Sequence, residues 1–316
     1  MRLIALAELG NFRKTDMDLW IAITLAAAFA QTLRFMAQKQ LKTVGLSTGG
    51  ATFARFLFSA PLVAVLIVAY SVIGAQALPA TNARFWTFAM VGGAAQILAT
   101  MCVVALFSHR NFAVGITFKK TEVVQTAIVS ALVLDERVSP QGAVAIAIGF
   151  LGVLLLSDQP DGAGPWRKRL VNRAAGLGLL SGVFFAFSAV GYRGATLALD
   201  SGDLVMRAGY TLAIVTATQT VVMALWLRVR EPGQMRAVVA AWRIAGLVGL
   251  ASMVGSFCWF MAFTLQNAAY VNALGQVELL FSLVASVVVF RERISLREGL
   301  GMGLLTCSIL VLILTL

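Results

Sequence analysis

The sequence predicts an all-α polytopic membrane protein of ten transmembrane helices, arranged as two inverted five-helix repeats. Three observations carry this. Apolar residues fill 59% of the 316 positions and charged residues 12%, with mean hydropathy +0.87; soluble domains carry about a quarter charged residues. Ten runs meet or approach the roughly 20 apolar residues that a helix needs to cross a bilayer. The chain also repeats itself. Residues 111–139, NFAVGITFKKTEVVQTAIVSALVLDERVS, align without a gap to 267–295, NAAYVNALGQVELLFSLVASVVVFRERIS. At this offset of 156, Asn111 meets Asn267, Glu122 meets Glu278, Ser130 meets Ser286 and Cys102 meets Cys258.

In order, the runs lie near 18–38, 52–74, 85–107, 112–134, 139–157, 174–195, 205–228, 243–264, 269–290 and 296–316. They are continuous rather than alternating, which disfavours barrel strands. Residues 1–17 form an N-terminal segment with Glu8, Arg13, Lys14 and Asp16, and its apolar stretch is too short for a signal peptide. Met17 is an alternative start. The first repeat spans 18–157. The polar stretch DQPDGAGPWRKRLVNR, 158–173, is the linker, and the second repeat spans 174–316. Five is odd, so the second copy enters the membrane from the opposite side. Inverted repeats place a binding site at their interface near the midplane.

The net charge of +11 comes from basic residues lying mostly between runs, where they orient helices and meet anionic headgroups. No nucleic-acid partner is expected. Connections on one side hold fourteen basic residues, from Lys39 to Arg297, against seven on the other, so the positive-inside rule puts both termini outside. Cys102, Cys258 and Cys307 lie within apolar runs without CxxC spacing, and His109 is the sole histidine, so neither a disulfide framework nor a metal site is expected.

The fourth run carries the strongest chemical signal. Gly115, Lys119, Glu122 and Thr126 follow i, i+4, i+7, i+11 spacing and form one polar stripe on a helix. Lys119 and Glu122 are spaced to pair. The ninth run repeats the stripe as Val271, Gly275, Glu278 and Ser282, keeping the carboxylate without a local cation, while Lys120 lies on a neighbouring face of the fourth. A charge at the bilayer centre costs at least about 2.5–3.5 kcal/mol. Glu122 and Glu278 are therefore read as lining a central cavity, where each binds a substrate ammonium or carries a proton. The plainer reading is an interhelical ion pair that locks the bundle.

Arg34 shares a stripe with Gln31 and Gln38 on the first run and is the next candidate to face the cavity. Arg55 sits a turn into the second run and is expected to snorkel to the headgroups. Gln96, Gln125 and Gln276 either orient a ligand or join helices. Glu136-Arg137 and Glu292-Arg293 end the fourth and ninth runs and are read as structural, with a gating salt bridge as the alternative; Ser139 and Ser295 are N-caps of the next helices and Pro140 takes the first helical position. Trp86, Trp166, Trp226 and Trp242 are placed in the interfacial belt, and Phe257, Trp259, Phe260 and Phe263 deeper. Gly92-Gly93, Gly149-Gly152 and Gly299-Gly301-Gly303 are read as helix-packing positions.

No HExxH, GxSxG, Walker A or dinucleotide fingerprint appears, so neither an enzyme nor a cofactor is expected. A duplicated, charged, apolar helix instead points to a secondary transporter. The segments ALVLDERVSPQGAVAIAIGFLGVLLL, 131–156, and VVVFRERISLREGLGMGLLTCSILVLIL, 287–314, resemble the drug/metabolite transporter superfamily in its ten-helix EamA-like branch. The resemblance covers the chain from about residue 18. It implies export or exchange of small metabolites such as amino acids through the bacterial inner membrane, driven by a proton gradient or by exchange, with cytoplasmic termini. That orientation is opposite to the charge count. Many members carry a proline near the positions of Glu122 and Glu278, where this chain has KKTE and GQVE. The expected site comprises Glu122, Glu278, Lys119, Arg34, Lys120, Gln31 and Gln276. The expected partners are a small-molecule substrate, the bilayer and protons, and the expected state is a monomer or homodimer. The alternatives are a flippase for lipid-linked substrates and a scaffold or sensor subunit that transports nothing.

Overall fold

A computed structural model describes residues 2–106, 118–156, 173–281 and 296–315, with the side chains of 2–18, 42–43 and 297–298 excepted. Linker residues 158–172, Gly115, Ser282, Glu292-Arg293 and Ser295 lie outside the described residues, and Arg173 already belongs to a helix. Among those described there are eleven helices and no strand: α1 (Arg2–Thr43), α2 (Thr48–Ile73), α3 (Ala83–Leu106), α4 (Glu122–Val133), α5 (Pro140–Leu156), α6 (Arg173–Leu197), α7 (Leu204–Arg230), α8 (Gln234–Ala240), α9 (Trp242–Leu265), α10 (Ala268–Gly275) and α11 (Leu296–Thr315). Six of them, α1 from Leu19 together with α2, α3, α6, α7 and α9, have the length and composition to cross a membrane. Helices α4, α5 and α11 are apolar but shorter. The brief α8 has no counterpart among the ten runs.

The exterior is apolar, and the interior, though also largely apolar, holds charge. Val65, Leu66, Val72, Ile73, Leu132 and Leu314 point outward, whereas Arg34, Arg55, Lys119, Lys120 and Glu278 are buried. A bilayer rewards that arrangement and water does not. Side chains cap several helices: Ser47 accepts from Gly50 N, Asp203 from Met206 N, Asn267 from Ala269 N, and Ser139 from Gly142 N at 3.0 Å as the sequence predicts.

The helix contacts respect an exchange of the two halves. Under the pairing α1/α6, α2/α7, α3/α9 and α5/α11, the extensive contact of α3 with α6 becomes that of α9 with α1. The contacts α2–α7 and α5–α11 each map onto themselves, so both join one half to the other. Small residues let these helices approach. A Cβ placed on Gly191 of α6 would lie 2.8 Å from Gly92 Cα, and one on Gly152 of α5 would lie 2.9 Å from Gly301 O. Gly299 and Gly303, expected to pack similarly, have nothing within 4 Å of such an added carbon.

Candidate functional site

The repeated polar segments differ from the unbroken helices their spacing predicts. Residues 118–119 are helical, Lys120 and Thr121 form a turn, and α4 begins at Glu122. In the second copy α10 ends at Gly275, Gln276 and Val277 form a turn, and residues 278–281 are helical again. Tight i+3 contacts close both turns: Thr121 N donates to Phe118 O at 3.2 Å and Val277 N to Leu274 O at 3.0 Å. Each repeated carboxylate thus stands where a helix starts. The peptide dipoles and unsatisfied N–H groups there favour negative charge.

The opposite half holds each carboxylate. Lys120 pairs directly with Glu278, so Glu278 does not lack a cation as its local sequence suggests. Gln31 of α1 donates to Glu278 Oε2 at 2.8 Å. Glu122 pairs with Lys119 at 3.1 Å, as the i, i+3 spacing predicts. Asn272 of α10 reaches across to Glu122 Oε1 at 3.4 Å and Thr126 Oγ1 at 2.9 Å. Asn272 was not singled out from the sequence, although its signal was present: an amide in the same apolar run, six positions before Glu278.

Two arginines surround this cluster. Arg55 is buried, not snorkelled; α2 starts at Thr48, four residues before the predicted run, and carries it inward. Its guanidinium donates to Thr100 Oγ1 at 3.0 Å and Ser256 Oγ at 3.2 Å, hydroxyls that themselves stand 156 positions apart. Arg34 donates to Gln38 Oε1 at 2.7 Å and lies 4.2 Å from the Phe35 ring centroid. Nearby, Gln96 Oε1 accepts from Tyr192 at 2.8 Å and from Gln219 at 3.0 Å.

These groups border a cavity lined by Gln31, Arg55, Gln96, Lys119, Glu122, Asn272, Gln276 and Glu278, with aromatic walls from Phe185, Tyr192, Trp259, Phe260 and Phe263. Tyr192 stacks on Phe260 with centroids 4.1 Å apart, and Trp259 on Phe263 at 5.6 Å. Lys120 and Arg34 stand behind this lining. The centre of a water-sized sphere can occupy about 50 Å³ of the cavity, which is room for a few waters. A metabolite needs the cavity to widen.

At the α9 C-terminus, beside Phe263 of the cavity wall, groups from both halves join. Asp135 adopts left-handed backbone, φ 55°, and turns the chain after α4. Glu136 then accepts from Arg193 of α6 at 2.7 and 2.8 Å. Arg193 also donates to Phe263 O at 2.6 Å and Gln266 O at 2.7 Å, satisfying carbonyls that end α9. Tyr270 accepts from Ser139 N at 2.7 Å. Arg137, the other half of the Glu-Arg dipeptide, is exposed and only 3.9 Å from Asp135. In the sequence Arg193 is one of seven basic residues on its side of the membrane, and nothing local marks its role.

Buried paired charges between two exchange-related halves, inside an apolar exterior, define a multi-pass membrane protein of the transporter class. Comparison with protein-family models matches residues 18–158 and 172–314 to the EamA-like transporter family. The chain belongs to that family and is a membrane transporter of the drug/metabolite type. A solved structure described only as the crystal structure of a protein superposes with TM-score 0.69 at 14% identity, covering 96% of this chain and 99% of that one. That likeness concerns the fold. No curated protein matches significantly.

Proposed function

We propose a secondary transporter that exports small polar or amphipathic metabolites, such as amino acids and related compounds, across the inner membrane. It works by alternating access between two inverted five-helix repeats, 18–157 and 174–316, joined by 158–173, with proton movement as the coupling. One observation carries the reading: the repeated carboxylates Glu122 and Glu278 meet at one cavity, each held by a group from the opposite half. Helices broken at a central site are how inverted-repeat transporters build one. Glu122, Glu278, Lys119, Lys120, Gln31 and Gln276 act there, with Arg34 as support from behind.

The test is a tolerance screen in bacterial cells against toxic amino acids, their analogues, toxic organic acids and small cationic drugs. The Glu122→Gln/Glu278→Gln double variant runs beside the parent at matched expression. The expected result is resistance to one chemical class that the variant loses. Equal resistance in both, at every pH tried, would sink the role of the carboxylates.

In this reading the Arg193–Glu136 closure is one of two gates. Arg193→Gln removes the charge from four hydrogen bonds at that end. With Cys102, Cys258 and Cys307 replaced by serine, a Ser188→Cys reporter in the cavity should react several-fold faster with an impermeant maleimide once Arg193 is changed. Unchanged labelling would remove the gate role and leave a static brace.

A further inference from the structure

We infer that the cavity takes an organic anion: a carboxylate-bearing molecule with an apolar body and net negative charge. The inference rests on the transporter reading and specifies its substrate class.

Charge balance leads to it. Lys119, Lys120, Arg34 and Arg55 are all buried, against two carboxylates, Glu122 and Glu278. The lysines use both carboxylates. Among the described residues no carboxylate lies within ion-pair distance of either arginine. Amides, hydroxyls and rings surround them instead: Gln38 and Phe35 at Arg34, Thr100, Ser256 and Phe56 at Arg55. Glu278 stands close enough to offset part of the charge of Arg34, whereas at Arg55 neutral dipoles solvate the guanidinium without cancelling its field. Buried charges are ordinarily paired, because desolvation is costly and the low dielectric leaves the field unscreened.

Arg55 faces the cavity itself, and its two hydroxyl partners come from α3 and α9, one from each half. A second, independent observation concerns Trp259. It lines the same cavity, and its indole N–H is buried with no hydrogen-bond partner among the described residues. An indole nitrogen can only donate. The cavity therefore offers a cation and an unused donor, which suit a carboxylate oxygen, while the rings of Phe185, Tyr192 and Phe260 suit an apolar body. An amine finds Glu122 and Glu278 already paired.

The test uses purified full-length protein in proteoliposomes at about pH 7. Counterflow is measured with three probes that share a phenyl ring: phenylsuccinate (dianion), phenylalanine (zwitterion) and phenethylamine (cation). Phenylsuccinate is expected to exchange in preference to the other two. Arg55→Gln should lower its exchange at least tenfold, about the value of one lost charge-assisted contact, and Arg55→Lys should retain part of it. Trp259→Phe, which keeps a ring and deletes the donor, should raise the KM for phenylsuccinate several-fold at similar maximal rate. If Arg55→Gln fails to fold, Trp259→Phe carries the test. Exchange of phenylalanine or phenethylamine without phenylsuccinate overturns the anion assignment and leaves the transporter reading standing. No exchange of any probe overturns the inference as well, and the tolerance screen then decides the transporter reading separately.

Discussion

Glu278→Gln is expected to stop transport and to destabilise the protein, and a second change, Lys120→Met, is expected to restore the stability without the transport. The reason lies in the geometry of the pair. Lys120 is 2% exposed and its ammonium meets Glu278 directly. Removing one partner of a buried pair leaves an uncompensated charge, at a cost of about 3–5 kcal/mol, whereas replacing both with neutral groups of similar volume is often neutral. The single variant should therefore give a lower melting temperature and less monodisperse protein in detergent, and the double variant should recover both. Transport should not recover, because Gln31 loses its carboxylate acceptor and the cavity loses the charge that any proton or ligand would use. Recovery of transport in the double variant would reduce the pair to a lock on the bundle. Equal stability of all three proteins would mean that water or lipid already reaches Lys120.

How much of this the sequence discloses depends on the range over which each feature is determined. The apolar runs are legible because a bilayer sets a minimum length for each. The repeat is legible because Glu122 and Glu278 keep an uninterrupted offset. The Lys119–Glu122 pair is legible because it is one helical turn. The helix breaks were not. Gly275 gives a cue in the second copy, but Lys120-Thr121 carries neither Gly nor Pro, and the proline common in the family near this position is absent. There tertiary packing overrides local preference: a Cβ on Gly182 of α6 would lie 3.2 Å from Lys119 O and 3.3 Å from Glu122 N, so α6 presses on the break itself. The Lys120–Glu278 pair joins residues 158 apart, beyond the reach of periodicity. Arg55 reads as a headgroup contact because the apolar run begins at 52. The first turn of α2 instead sits under the α7–α8 corner, where Ser47 bonds Glu231 and its N–H donates to Gln234, and this holds Arg55 inward.

Gly191→Leu should be among the costliest single glycine changes on the long helices, and it should act on the site through packing. At this point α6 and α3 touch backbone to backbone. The first atoms an added Cβ would meet are Gly92 Cα at 2.8 Å, Phe88 O at 3.0 Å and Gly92 N at 3.1 Å. None belongs to a flexible side chain that can step aside, so the helices must part. Overpacking of this kind costs about 3 kcal/mol at the upper end of its usual range. Gly255→Leu, on the exchange-related α1–α9 contact, should be milder, because its nearest neighbour is the Ala30 methyl at 3.3 Å. Gly246→Leu on α9 should be tolerated, since nothing lies within 4 Å of its added carbon. Melting temperature and the monodisperse fraction after detergent extraction should follow that order. The functional consequence follows from what comes next along α6. Tyr192 and Arg193, directly after Gly191, hold the Gln96 network and the Glu136 closure. Moving α6 away from α3 displaces both. Whatever Gly191→Leu protein folds should therefore show the fast maleimide labelling expected of Arg193→Gln, while folded Gly246→Leu protein should label as the parent does. The same slow labelling in both would mean that α6 tilts as a rigid rod about this contact without disturbing the gate.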